Sequence, residues 1–192
     1  MDLLLQTIRS YVPLSAIDEG IVRELFRQKV YQKGEHLLQA GQVCRSIIFI
    51  GKGLVRYYVN NDGEEKTNYF NQEGQFVCDY TSFLPQAPSS VNIQALEETT
   101  IWAVSSEGIQ RFYREVGGGE RFGRLAIEQV FVSVINQVIS LYTDPPEVRY
   151  RKFLSAFPDL GQRIPQYYIA SYVGVKPQSL SRIRKRIAGR IN

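Results

Sequence analysis

Histidine occurs once in these 192 residues and cysteine twice, and that scarcity excludes several chemistries together. The single His36 cannot build a multi-His metal centre or a metal cupin, which needs clustered His and carboxylate ligands. Cys44 and Cys78 cannot supply four ligands to an iron–sulfur cluster or a Cys-rich zinc site. His36 is left as a lone candidate haem ligand, against the plainer reading of a residue on a surface strand. Acid–base catalysis would have one imidazole, with no nucleophile motif and no phosphate-binding glycine loop. Gly117-Gly118-Gly119 lacks the strand and helix spacing of a nucleotide fingerprint and reads as a linker, so an enzyme is not expected. Uninterrupted apolar runs are short, and Met1-Asp2 followed by Leu3 to Leu5 lacks the order of a signal peptide. The expected location is the cytoplasm, with no membrane partner.

What is present is ordinary for a folded chain, with 44% apolar and 22% charged residues. The informative property is where the charge lies. The net charge is +4, yet the segment from Arg149 to Asn192 holds ten Lys/Arg against the single acid Asp159, or +9, leaving −5 on the first 148 residues. Such asymmetry suggests a regulatory body joined to a polyanion-binding end, as opposed to a merely solvated basic tail.

Ser15 followed by Asp18 and Glu19 reads as a capping box opening a short helix, with Ile17, Ile21, Val22, Leu25 and Phe26 at helical spacing. From Val30 to Val104 turn signals recur about every ten residues. They include Lys33-Gly34-Glu35, Ala40-Gly41, Gly51-Lys52-Gly53 and Glu73-Gly74, with Asp62-Gly63 as a hairpin signal. The strands between them, such as Ile47 to Ile50, Leu54 to Val59 and Thr100 to Val104, suggest a sandwich or jelly roll. After the glycines a helix is expected from about Glu120 to Tyr142. Ile127, Phe131, Val134, Val138 and Leu141 step along it by four and three, the seam of a partner helix and thus of a homodimer. Leu125, Val132, Ile135 and Ile139 form a second apolar set, so one face is expected against the β body and one against a second subunit. The alternative is a helix wholly buried in one subunit. Asn136 and Gln137 stand out as polar residues that reach either a ligand cavity or solvent.

Asp144-Pro145-Pro146 ends that helix. The expected domains are therefore 1–119, the helix 120–143, and 144–192. Arg149 to Phe157 reads as a short helix stopped by Pro158. In the last segment Pro165, Gly174 and Pro177 punctuate two short helices joined by a tight turn. Ala170 permits their close approach, and Ile169, Val173, Val175, Leu180 and Ile183 supply a core between them: a helix-turn-helix. With Leu180, Ile183 and Ile187 inward, Gln178, Ser181, Arg182 and Lys185 face outward. Arg182 suits a bidentate contact to guanine and Gln178 a contact to adenine, while Lys176, Arg184, Lys185, Arg186 and Arg190 suit phosphates. Duplex DNA is the expected partner. The competing reading is a ligand-binding signalling module whose basic helix contacts protein or RNA.

Taken together, this order resembles the Crp/Fnr family of bacterial transcription regulators across nearly the whole chain. The β-domain marks are Lys33-Gly34-Glu35, Ala40-Gly41, Ile48-Phe49-Ile50-Gly51-Lys52-Gly53-Leu54-Val55 and Glu73-Gly74-Gln75-Phe76, and the DNA-domain match is Ile169 to Ile183. The resemblance implies an α+β fold: a cyclic-nucleotide-binding-type jelly roll, a long dimerisation helix and a C-terminal helix-turn-helix. It also implies a dimeric regulator on a pseudo-palindromic site, RNA polymerase as a further partner, and Arg182 at the position that reads guanine. Gln178 stands where many members have glutamate. Cyclic-AMP-binding members hold the phosphate with an arginine in an Arg-Ser or Arg-Ala pair. Here the corresponding segments are Cys78-Asp79-Tyr80-Thr81-Ser82 and Ser89-Ser90, and no arginine lies between Arg56 and Arg111. Cyclic AMP in the usual mode is therefore not expected. The candidate contacts for a small-molecule effector are Asp79, Tyr80, Ser82, Ser89 and Ser90. Because the sequence ends at Asn192, contacts from a C-terminal β wing are expected to be missing.

Overall fold

The computed structural model describes residues 1–188. Two helices, α1 (Asp2–Arg9) and α2 (Ala16–Leu25), lead into eight strands, β1 (Arg27–Tyr31), β2 (His36–Leu38), β3 (Ser46–Lys52), β4 (Leu54–Asn61), β5 (Glu64–Gln72), β6 (Phe76–Val77), β7 (Asn92–Ala95) and β8 (Thr99–Ser105), with a short helix α3 (Tyr80–Phe83) between β6 and β7. Helices α4 (Ser106–Glu115), α5 (Gly119–Thr143), α6 (Pro146–Ala156), α7 (Leu160–Arg163), α8 (Gln166–Val173) and α9 (Pro177–Ala188) follow.

The strands form two four-stranded antiparallel sheets, ordered β1-β8-β3-β6 and β2-β7-β4-β5. Each turn signal serves its purpose. Asp62 and Gly63 both take positive φ, 52° and 82°, which suits a tight hairpin between β4 and β5. Gly53 has φ 108°, and a Cβ there would lie 2.5 Å from Thr99 Oγ1, so only glycine fits between β3 and β4. Ser15 and Asp18 form the capping box of α2, although Ile17, counted in its apolar pattern, is exposed.

Strand β3 is buried from Ile47 through Ile50 because both its faces are covered, one by the opposite sheet and one by α1 and α4. Strand β4 is likewise covered twice. Val55 and Tyr57 join the sandwich core, while Leu54 points into a second core with Phe70 of β5 and Leu96, together with Phe153, Phe157, Leu160 and Ile169 of the C-terminal helices. That second core docks the C-terminal helices on the outside of the β4–β5 pair.

Polar groups fix the docking. Arg56, only 1% exposed, projects from β4 on the Leu54 face. Its Nε and Nη2 donate to Gln94 Oε1 at 3.0 and 2.7 Å, Nη1 donates to Thr67 Oγ1 at 3.4 Å, and Nη2 also meets Glu65 Oε2 at 2.5 Å. Its guanidinium carbon lies 4.1 Å from the ring centre of Tyr58 and 4.0 Å from that of Tyr168 on α8. Beside it Thr67 N donates to Ser171 Oγ of α8 at 2.8 Å. Arg163 of α7 bridges Glu73 and Glu97 at 2.9 and 2.5 Å.

Helix α5 runs along the sandwich. It is long and apolar enough to cross a membrane by composition, yet it is tied to the β domain by a polar stripe with a four-residue repeat. Tyr11 donates to Gln129 at 2.6 Å, Tyr69 pairs with Ser133 at 3.3 Å, and Gln137 donates to the Asn68 carbonyl at 2.7 Å. Asn68 is the extra residue at the β4–β5 register shift, which frees its carbonyl for this bond. The structure thus corrects the expected arrangement of this helix. Beyond Phe122 and Ala126, which pack into the sandwich core, polar residues meet the β body, whereas of the second apolar set Leu125 is half-buried and Val132, Ile135 and Ile139 are exposed, and the helix is not wholly buried.

Two predictions follow from the docking contacts. Arg56→Ala should lose about 2–3 kcal/mol, from the cation–π contacts and hydrogen bonds together, with faster hydrogen exchange concentrated in α8. Unfolding and exchange indistinguishable from the parent chain would reject the clamp. The carboxyl of Glu73 is raised by burial, but the bonds from Arg163 and Gly53 N outweigh this and leave it below its ordinary 4.5. Its folded value is depressed, so its contribution is complete above pH 4.5 and is lost as pH falls through the lower folded value. Acid titration of Glu73→Gln should show a smaller loss of stability over that window.

Candidate effector cavity and nucleic-acid interface

A cavity of about 530 Å³ lies between the sandwich and α5. Tyr57, Tyr69 and Asn71 of the β4–β5 pair form one side, the segment Cys78 to Thr81 with Ser90 and Val91 forms another, and α4 contributes Ile109 and Tyr113. The wall from α5 runs from Phe122 to Leu141 and includes Ile127, Val130, Val134 and Val138. Of the five candidate effector contacts, the structure brings Asp79, Tyr80 and Ser90 to this cavity.

Ser82 and Ser89 are corrected: they do not line it. Ser82 accepts from Cys44 N and donates to the Ala87 carbonyl, closing the turn after α3. Ser89 is buried and donates to Asp79 Oδ2 at 2.7 Å. Asp79 is the N-cap of α3 and also accepts from Thr81 N and Thr81 Oγ1 at 3.1 and 2.7 Å. Its oxygens are thus engaged within the loop that carries them.

Sequence reasoning missed Tyr57, Tyr69 and Tyr113. The first two are a cross-strand pair on the cavity face of β4 and β5, detectable only once the register is known. Tyr113 sits on α4, whose start is capped by Ser105, its Oγ accepting from Gly108 N. That Ser-x-x start was the available signal. Gln137 reaches the cavity, and Asn136 faces the adjoining cleft bordered by α6 and α8. His36 lies half-buried on β2 with Nε2 2.8 Å from the Tyr58 hydroxyl. It is not at the cavity, and among the described residues no group of three His, Cys, Asp or Glu could hold a metal ion.

The seam residues occupy an intermediate place. Ile127, Val134, Val138 and Leu141 line the cavity yet remain exposed, and Phe131, outside the cavity, is 65% exposed. With Ile135, Ile139 and Tyr142 they make a broad uncovered apolar surface on α5.

The C-terminal helices have the expected geometry. Gly174 ends α8 in the left-handed region at φ 73°, and Val175 N returns to the Ala170 carbonyl at 2.9 Å, the turn that swings α9 across α8. Ile169, Ala170, Val173, Leu180, Ile183 and Ile187 are buried between them. Lys176, Gln178, Ser181, Arg182, Lys185 and Arg186 are all exposed. Arg186 lies 3.7 Å from Glu147, and Arg190 lies outside the described residues. Lys176 is near the β4–β5 hairpin, where Lys66 first and Lys176 more weakly hold the Glu64 carboxyl below its ordinary value. Arg149 joins the two ends of this module, donating to the Asp144 carbonyl after α5 and to the Val173 carbonyl at the end of α8, at 2.8 and 2.7 Å.

A β sandwich covered by a long helix and followed by a helix-turn-helix is a fold shared with a solved protein from Eubacterium rectale described as a putative transcriptional regulator of the Crp/Fnr family, which superposes with a TM-score of 0.68 at 16% identity, covering 94% of this chain and 88% of that one. Residues 28–116 match the cyclic nucleotide-binding domain family, and most of the chain shares the fold of several solved proteins. FixK2 from Bradyrhizobium japonicum superposes with a TM-score of 0.74 at 14% identity, covering 86% of this chain and 85% of that one. CLP from Xanthomonas campestris, a c-di-GMP responsive global regulator, gives 0.68 at 14% identity, with 92% and 93% covered. A CooA variant from Carboxydothermus hydrogenoformans gives 0.65 at 20% identity, with 94% and 88% covered. No curated protein matches the chain.

Proposed function

We propose that the protein is a homodimeric, sequence-specific DNA-binding transcription regulator whose β-domain cavity receives a small-molecule effector. The observation that carries this reading is the composition of α9. Its inner face buries Leu180, Ile183 and Ile187, while its outer face presents Gln178, Ser181, Arg182 and Lys185 free of the rest of the chain. A helix presenting guanidinium, amide and hydroxyl groups on a rigid support has the residue types needed to read base edges in the major groove. The charge of the C-terminal segment supplies the phosphate-directed component. Two solved proteins of the same fold are described as a global regulator and a putative transcriptional regulator, which supports the same assignment.

Dimerisation through α5 supplies the second recognition helix. A two-fold arrangement covers the exposed apolar residues of α5 and sets two α9 helices about one DNA turn apart. Arg149 couples the end of α5 to the turn before α9, so a change in how α5 packs alters the angle at which α9 is presented. Only an angle that fits both half-sites gains both binding energies.

Selection from a random duplex pool tests the reading, with purified protein at physiological salt and no added nucleotide. A two-fold symmetric motif supports it, and persistent absence of enrichment across candidate ligands rejects it in favour of a protein or RNA partner for α9. Arg182→Ala should reduce affinity for the selected duplex by about 1–3 kcal/mol; a loss shared equally by a scrambled duplex would mark a nonspecific surface. Phe131 is the seam residue outside the cavity, so Phe131→Glu should weaken the dimer by roughly 2–4 kcal/mol. An unchanged dimer in sedimentation would reject the seam.

A further inference from the structure

The effector cavity holds information about its ligand. Among the described residues that line it there is no Lys, Arg or His. Arg56, the arginine nearest in sequence, projects from the other face of β4 and is committed to Gln94, Thr67, Glu65 and two tyrosine rings. The carboxylate facing the cavity is that of Asp79, satisfied by Thr81 and Ser89 with no cation beside it. A phosphate or carboxylate entering here would be desolvated without a charge-assisted partner and would meet a like charge.

The remaining surface is mostly hydrocarbon and aromatic, from Ile47, Phe76, Ile109, Phe122, Val130 and Val134. Most of its polar atoms already have partners. Tyr57 Oη receives Cys78 N at 2.9 Å, Tyr69 pairs with Ser133, Asn71 Nδ2 donates to Gln75 Oε1 at 3.1 Å, and Gln137 Nε2 is held by the Asn68 carbonyl. The Cys78 thiol is pushed up by its hydrogen bond with Cys44 and then by burial, so it adds no charge.

Among the described residues Ser90 Oγ and the Asn68 side-chain amide are unpartnered but exposed, and two half-buried hydroxyls are left over as well. The hydroxyls of Tyr80 and Tyr113 make no hydrogen bond among the described residues, and they belong to different elements, α3 and α4. Burial raises both, and Tyr113 raises Tyr80 further, which keeps them neutral donors on one stretch of wall. Donors without acceptors on an apolar wall specify an acceptor on the guest.

We propose that this cavity binds an uncharged, largely apolar small molecule carrying a hydrogen-bond acceptor for Tyr80 and Tyr113, and that it excludes cyclic nucleotides and other anions. The inference deepens the effector reading given above and rests on it for its regulatory meaning. The volume of 530 Å³ falls within the range of about 300–1,000 Å³ usual for small-molecule sites.

Nile red, a neutral planar dye with a carbonyl acceptor and environment-sensitive emission, is the probe. Titration into the purified protein should give saturable, blue-shifted emission that excess cyclic AMP does not reduce. Val91→Trp, which fills the cavity from the β side, should weaken binding about tenfold or more. Tyr80→Phe with Tyr113→Phe, which preserves shape and checks against a folding defect, should weaken it about 3–10-fold. Dye binding unaffected by either change, or no binding at all, would overturn the proposal. Displacement by cyclic AMP at a site sensitive to Val91→Trp would overturn the ligand class while leaving an effector cavity in place. Affinity for the selected duplex, measured with and without dye, reads the effector role separately: cavity binding that leaves it unchanged would retain the ligand class and reject the control.

Discussion

The guanidinium of Arg56 is the point at which the two halves of this molecule become one. A buried cation is expensive unless every donor is used and its charge is answered, and here the answers come from Glu65 and Thr67 on β5, Gln94 on β7 and the rings of Tyr58 and Tyr168. Tyr168 belongs to the first helix of the helix-turn-helix. The seating of that helix against β4 is therefore part of the solvation of a charge inside the β domain. Phe70, in register with Arg56, extends the same contact into hydrocarbon by meeting Phe153, Phe157 and Tyr172. Arg163 closes the other end with two carboxylates.

Between these halves α5 is shared by three surfaces. Its polar stripe grips the sandwich, its next face walls the cavity, and its outer face is bare hydrocarbon. Ile127, Val134, Val138 and Leu141 lie where the last two meet. A guest in the cavity and a partner on the seam would touch the same side chains, so each senses the other without a relay through the β sheets. The bonds from Arg149 then carry any adjustment at the end of α5 to the turn that orients α9.

How far the sequence disclosed this varied with the range of the interactions involved. Local signals read well: the Ser15 capping box, the Asp62-Gly63 hairpin, the left-handed Gly174, and the inward set Leu180, Ile183 and Ile187. These features are decided by a few neighbouring residues. Helices α1 and α4 were missed because each is short and amphipathic between stronger signals. The face of α5 that meets the body was misread for a different reason. Apolar periodicity was taken to mark packing, whereas beyond Phe122 and Ala126 the contact is made by Gln129, Ser133 and Gln137, with hydrogen bonds to partners over sixty residues away. For the candidate site, Asp79, Tyr80 and Ser90 were legible by position in the loop, but Ser82 and Ser89 turned inward to close it. Tyr57 and Tyr69 needed the strand register, and Arg56 gave no hint in sequence that it is the most enclosed cation among the described residues.

The enclosure of Arg56 also bears on how such a chain can change over generations. Arg56, Tyr58, Glu65, Gln94 and Tyr168 answer one another from three strands and a helix, and altering one leaves a donor, an acceptor or a ring face without its counterpart. Neighbouring surface positions are free to drift one at a time. These five are bound to travel as a set, exchanged together for another self-consistent arrangement or kept, so that the record of their substitutions across descendants is a record of how firmly the C-terminal helices are held to the β sandwich.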